Sequence, residues 1–158
     1  MSKPPALLTR ARRNLVVSVQ TRVCAIPLTY VVEAMRPLPL ESIAGMPPFV
    51  RGVSNIRGIP TPVVDLGAIL GAPCNAPERI VMLRLGDRQV ALCVDAILGV
   101  RDLDPSTIQE LPPLLRGAST DVIEAIGTLD ERFLMVLRAG WELPDEVWQA
   151  LAVRQLAS

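Results

Sequence analysis

Asn55 and Arg57 hold the most pointed polar chemistry in the sequence, because two glycines fix where they stand. They lie within FVRGVSNIRGIPTPVVDLGAIL, residues 49–70. Gly52 and Gly58 bracket Val53-Ser54-Asn55-Ile56-Arg57, where Val53 and Ile56 are apolar and Asn55 and Arg57 alternate outward, as in a half-buried strand. Gly58 supplies a backbone free to take positive φ, as a sharp reversal needs. Ile59-Pro60-Thr61-Pro62-Val63-Val64 returns as a second strand. Its two prolines cannot donate to a ladder, which predicts a strand that starts at a sheet edge. Asp65 ends it, placed to cap a helical turn over Leu66–Leu70. A polar pair on a rigid hairpin suits recognition rather than bond-breaking. Arg57 offers five donors, to carbonyls of its own loop or to a partner's carboxylate.

Catalytic alternatives find little material. The chain of 158 residues contains no histidine, which removes the commonest general base, zinc ligand and near-neutral switch. Cys24, Cys74 and Cys93 are odd in number and far apart, so no disulfide framework or metal spacing follows. Cys24 and Cys93 sit in apolar strands and read as reduced core residues; Cys74 lies in a Gly/Pro/Asn loop without a basic neighbour. A phosphate-cradling Walker-type loop is absent. The expectation is a protein that is not an enzyme, with no cofactor and no metal. Net charge is zero and the aromatics number five (Tyr30, Phe49, Phe133, Trp141, Trp148), which argues against nucleic acid as a partner. A small-barrel nucleic-acid binder is the remote alternative. No apolar run has the length of a signal peptide or a membrane span, which predicts a cytoplasmic protein without direct membrane insertion.

The elements that position the hairpin follow from pattern. Residues 1–13 are Pro-rich and basic and read as a flexible tail. Leu15–Val19 and Val23–Pro27 form a hairpin around Gln20-Thr21-Arg22, a turn without glycine. Leu28–Met35 fits a helical turn or an extended strand. Arg36–Pro48, with four prolines, is a long loop over a surface. Arg79–Leu85 and Arg88–Val100 form a second hairpin around Gly86-Asp87, and the continuous apolar run Val90–Val94 predicts burial on both faces. Asp104-Pro105 opens a short helix over Ser106–Glu110. Val122–Leu129 and Arg132–Leu137 form a third hairpin around Asp130-Glu131. A C-terminal helix over 144–158 packs Val147, Trp148, Leu151 and Ala152 on the rest. The sum is an all-β protein of about eight to ten short strands, in two similar subdomains joined near residues 71–78.

In this order and spacing the residues resemble the CheW-type coupling proteins of bacterial chemosensory systems. The likeness runs from about Leu15 to Leu143, through Ile26-Pro27-Leu28 and Val31-Val32-Glu33. Its most specific piece is Pro48-Phe49-Val50-Arg51-Gly52-Val53-Ser54-Asn55-Ile56-Arg57-Gly58, continuing to Pro62-Val63-Val64-Asp65-Leu66. Val90–Leu98 and Ile126–Leu134 supply two more motifs. The resemblance implies two intertwined SH3-like five-stranded barrels over 14–143 and a scaffold function. Its implied partners are the cytoplasmic tip of a chemoreceptor, the regulatory domain of a CheA-type histidine kinase, and CheW-like homologues in array rings. It also implies recruitment to membrane-associated receptor arrays. Val31, Glu33, Asn55, Arg57 and Gly58 fall on the family's receptor- and kinase-facing positions; Gly52, Pro62, Asp65 and Asp95 fall on its structural motif. Three departures stand out: a first strand without the usual aromatic, a first turn without glycine, and Arg138-Ala139-Gly140 after Leu137. A coupler of a non-flagellar pathway (pili, biofilm or development) with altered kinase binding is the alternative. On residue type alone Val31 fits core or anchor, Glu33 a solvated strand position or a partner contact, and Asp65 and Asp95 structural acceptors. Replacing Arg57 by alanine or Val31 by aspartate is expected to spare the fold and weaken association.

Overall fold

A computed structural model describes residues 13–71, 78–110, 123–138 and 143–157. The tail up to Arg12, Cys74, Val122 and Trp141 lie outside them. Strands β1 (Arg13–Val19), β2 (Arg22–Pro27), β8 (Ala96–Asp102), β9 (Ile108–Glu110), β10 (Ile123–Leu129) and β11 (Arg132–Leu137) form a six-stranded sheet in the order β8-β1-β2-β11-β10-β9. Strands β3 (Val31–Met35), β4 (Val50–Ile56), β5 (Ile59–Asp65), β6 (Arg79–Leu85) and β7 (Arg88–Val94) form a five-stranded sheet in the order β3-β6-β7-β5-β4. A one-turn helix α1 (Leu66–Ile69) and a C-terminal helix α2 (Asp145–Ala157) complete the described chain, with 3-10 turns at Leu28–Tyr30 and Pro105–Thr107.

The apolar runs are continuous because the central strands serve two cores. Leu15, Val17 and Val19 of β1 face a shared core, while Val16 faces the interior of the six-stranded sheet. Val90, Leu92 and Val94 of β7 join the same shared core, while Ala91 and Cys93 line the interior of the five-stranded sheet. Period-two alternation then sorts residues between two apolar environments instead of core and water. Leu143, Val147 and Leu151 bring α2 onto the shared core, and the Arg88 guanidinium lies 4.7 Å from the Trp148 ring centroid. Trp148 is only partly buried, and Ala152 faces water.

Several expected boundaries move. Arg88–Val100 is not one strand: the chain bends at Asp95 and passes between the sheets. The Asp95 N–H donates to the Ser18 carbonyl at 2.9 Å, and its carboxylate accepts from the Gln20 N–H at 2.6 Å. The other crossing is the 3-10 turn Leu28–Tyr30, so Leu28–Met35 is a helical turn followed by a strand. A junction near 71–78 would fall between β5 and β6, neighbours in sequence within one sheet; the chain changes sheets at 28–30 and at 95. Ser106–Glu110 is not a helix. Asp104 caps only the turn, accepting from the Ser106 N–H at 3.0 Å, and Ile108–Glu110 pairs with β10 as a strand.

The proline-bearing strand β5 lies between β7 and β4, but its start is paired on one side only, as its prolines require. Two geometric facts accommodate its prolines. The parallel ladder to β7 begins only at Val63. In the hairpin to β4, Pro60 opposes Asn55 and Pro62 opposes Val53, one and three places from the closing pair Ile56–Ile59. Those alternate places exchange no bonds with β4, so the missing N–H groups cost the sheet nothing.

The hairpin turn takes positive φ at both central residues, 55° at Arg57 and 79° at Gly58, the condition of a type I′ turn. The β10–β11 turn does the same without glycine, at Asp130 (50°) and Glu131 (65°), and Gln20 (53°) serves the first hairpin. A Cβ on Gly58 would meet nothing within 4 Å, so the cost of substitution there is backbone strain alone. Gly58→Ala is expected to cost about 1 kcal/mol and Gly58→Val roughly 2 kcal/mol or more, read from urea unfolding midpoints.

Candidate functional site

The turn at Arg57 is tied to the opposite edge of its own sheet. β3 and β4 are the two outer strands of the five-stranded sheet, yet the Arg57 guanidinium bonds the Glu33 carboxylate of β3 at 2.5 Å. The ion pair therefore bridges the open side of the sheet and closes it toward a barrel. Arg57 does not clamp carbonyls of its own loop; its partner is 24 residues away. Arg57 remains two-thirds exposed, and a pair in such a place contributes about 0–1 kcal/mol, so it sets geometry more than stability.

A bulge explains why Val31 and Glu33 do not share a face. Val31 pairs with Leu83 but Glu33 pairs with Met82, its immediate neighbour, through a register shift between them. Leu83 belongs to the shared core and Met82 to the interior of the five-stranded sheet. Val31 is thus half-buried against the shared core, while Glu33 turns toward the end of the barrel that Arg57 covers. Aspartate at Val31 would bring a charge against that core, so the expectation that it spares the fold does not stand. Two exposed apolar residues are chain neighbours of this site, Val32 at 43% next to Glu33 and Ile59 at 46% next to Gly58. Residue types alone did not single them out; Ile59, next to the turn glycine, was the more legible of the two.

Asn55 is exposed and lines a groove of about 420 Å³ with Leu38, Pro39, Glu41, Val53, Ser54 and Pro60. Gly52 lies on the same strand, and its requirement is close approach. A Cβ there would stand 2.6 Å from the Glu41 carbonyl oxygen, which accepts from the Val53 N–H. Pro62 is paired with Val53 behind this wall.

The two strand-end aspartates sit elsewhere. Asp65 is six residues from Ile59, about 20 Å along the strand. Its Oδ1 accepts from the Ala68 N–H at 3.1 Å as the cap of α1, and its other oxygen lies 3.7 Å from Arg51. Asp95 holds the crossing between sheets described above. The structure therefore brings together Glu33, Asn55, Arg57 and Gly58 at one end of one sheet, and leaves Asp65 and Asp95 as internal fastenings. Among the described residues no three cysteines, aspartates or glutamates are grouped so as to hold a metal ion.

A second ion pair repeats the device. Arg101 on β8, an outer strand of the six-stranded sheet, bonds Asp130 in the β10–β11 turn at 2.9 Å. As at Arg57, the first turn residue with positive φ carries the charge, here with the signs exchanged. The hydrogen bond from Arg101, and then its charge, hold the Asp130 carboxyl below the usual carboxylate range. Sequence spacing alone did not disclose this pair.

The buried thiols have no place in this site. Burial pushes Cys24 up to about 12 and Cys93 up to about 11, in the second case against the Arg51 charge. A thiol raised in the folded state contributes stability that is whole below the ordinary value of 9.0 and lost as pH rises through 11 to 12. In a Cys74→Ser protein, a thiol reagent at about pH 8 is expected to label no cysteine until urea unfolds the chain. Rapid native labelling would contradict this burial.

Comparison with known proteins agrees with this architecture. Residues 13–140 match the CheW-like domain family. The chain is 31% identical over 98 residues to the chemotaxis protein CheW of Klebsiella aerogenes, a match spanning 60% of this chain and 59% of that protein. It is 27% identical over 148 residues to the chemotaxis protein CheW of Bacillus subtilis, covering 92% of this chain and 95% of that one. Among solved structures, the scaffolding protein TtCheW from Thermoanaerobacter tengcongensis superposes with a TM-score of 0.70 at 24% identity, over 81% of this chain and 89% of that one. Two packed barrel-like sheets, with a match that reaches from β1 past the end of β11, place this chain in the CheW-like domain family.

Proposed function

We propose that this chain is a non-catalytic adaptor that couples chemoreceptors to a histidine kinase of the CheA type. The observation that carries the reading is the family match over residues 13–140, nearly the whole described chain. Its relatives in Klebsiella aerogenes and Bacillus subtilis are chemotaxis proteins by name. The hairpin end supports it with the chemistry of a docking surface: an exposed amide at Asn55, an exposed guanidinium at Arg57 and the exposed apolar Ile59 next to the turn glycine. No described helix is long and apolar enough to cross a membrane. The adaptor works in the cytoplasm and reaches the membrane through receptor arrays, where CheW-like homologues are its neighbours. Coupling consists of differential contacts in two receptor states.

The test mixes purified chain with the cytoplasmic fragment of a cognate receptor and with the kinase regulatory domain. Co-elution with each, and receptor-dependent kinase activity only when the chain is present, is the expected result. Failure to associate with either overturns the reading.

A further inference from the structure

The groove beside Asn55 exists because two prolines stop a ladder from closing. Glu41 and Val53 exchange both backbone bonds, each at 2.9 Å, as one antiparallel pair. In such a pairing the next residues to exchange bonds lie two places on along each chain. Those are Pro39 opposite Asn55, then Pro37 opposite Arg57 in the turn. Neither proline has an N–H to give. The loop leaves β4 after a single pair, and the 420 Å³ groove opens where the next would form. Asn55 opposes Pro60 in the β4–β5 hairpin at a place that exchanges no bonds with β5, so its backbone N–H and carbonyl point to the groove side.

We infer that this groove takes an extended segment of a partner protein, which pairs with the Asn55 backbone and sets an apolar side chain among Leu38, Pro39, Val53 and Pro60. Strand addition is favoured because the same edge already holds one extended residue, Glu41, with ideal bond lengths. The inference rests on the adaptor reading and names how Asn55 serves it: through its backbone as well as its amide.

Restoring the missing donors tests it. In a Pro37→Thr/Pro39→Thr variant the loop is expected to zip onto β4, with amide exchange slowed at residues 39 and 55. Association with the receptor fragment or the kinase regulatory domain should fall at least tenfold for whichever partner supplies the segment. A second comparison sets Asn55→Pro, which removes the outward N–H without touching the β4–β5 ladder, against Asn55→Ala, which removes only the side chain; thermal unfolding checks that each is folded. Ten times weaker binding by Asn55→Pro than by Asn55→Ala supports strand addition. Unchanged binding by a double threonine variant whose amides at 39 and 55 are protected, or equal binding by Asn55→Pro and Asn55→Ala, overturns it and leaves the adaptor function standing. If the wild-type chain binds neither partner, both fall. Loss of self-association alone would assign the groove to a second copy and overturn the partner segment.

Discussion

Gly52→Ala is expected to lower stability by about 2–4 kcal/mol. The new Cβ would lie 2.6 Å from the Glu41 carbonyl oxygen and 3.2 Å from its carbon. These are backbone atoms and cannot rotate away as a flexible side chain can. Either the Glu41–Val53 pair breaks or β4 is pushed off the loop. Forcing a methyl into packed structure costs about 1–3 kcal/mol, and each backbone bond lost adds about 1 kcal/mol. Position 52 also stands at a register shift in β4, where the strand already bends. Gly127 offers a control of the same kind, since a Cβ there would stand 2.7 Å from the Thr107 carbonyl oxygen. Urea unfolding of Gly52→Ala measures the loss. A midpoint equal to that of the parent would mean that the loop at 38–41 yields freely and does not hold the edge of β4.

Gly52 within β4 and Gly58 in the turn after it are needed for different reasons, and only one was legible in the sequence. A turn glycine announces itself through its place between two apolar runs. A close-approach glycine depends on a loop that pairs across a distance no local pattern records. The same distinction runs through the fold. Hairpins closed by two residues, the two-sided burial of Val90–Val94 and the cap at Asp65 are set within a few residues, and each could be read. The crossing at Asp95 could not, because the apolar run continues past it through Ala96-Ile97-Leu98. What ends the strand is a carbonyl at Ser18 and an N–H at Gln20, both on the far hairpin. The prolines of β5 marked a one-sided start, but not that the strand becomes internal from Val63, where the ladder to β7 begins. In the site, Asn55 and Arg57 were visible from spacing. Their surroundings were not, since the bulge in β3 separates Val31 from Glu33 and the partner of Arg57 lies on another edge strand.

Reversing the charge of either member of the Arg57–Glu33 pair should weaken receptor or kinase association by roughly tenfold while leaving stability within about 1 kcal/mol. The small stability effect follows from exposure: two-thirds of the Arg57 side chain is in water. The larger effect on association follows from where the pair acts. Arg57 holds positive φ in a turn, a conformation that disfavours a non-glycine residue by about 1–2 kcal/mol. Its bond to Glu33 opposes relaxation of that turn and keeps Asn55 and Ile59 in place on either side. Arg57→Glu faces Glu33 with a like charge, and Glu33→Arg does the same to Arg57, so each releases the turn from β3. The double reversal, Arg57→Glu with Glu33→Arg, restores an attractive pair across the same two strands and is expected to recover most of the binding. Titration of the four proteins against the receptor fragment and the kinase domain completes a double-mutant cycle. Wild-type binding by both single reversals would remove the pair from the docking surface. A double reversal as weak as the singles would place the Arg57 guanidinium on the partner itself, because a restored bridge repairs geometry but cannot replace a cation that the partner reads.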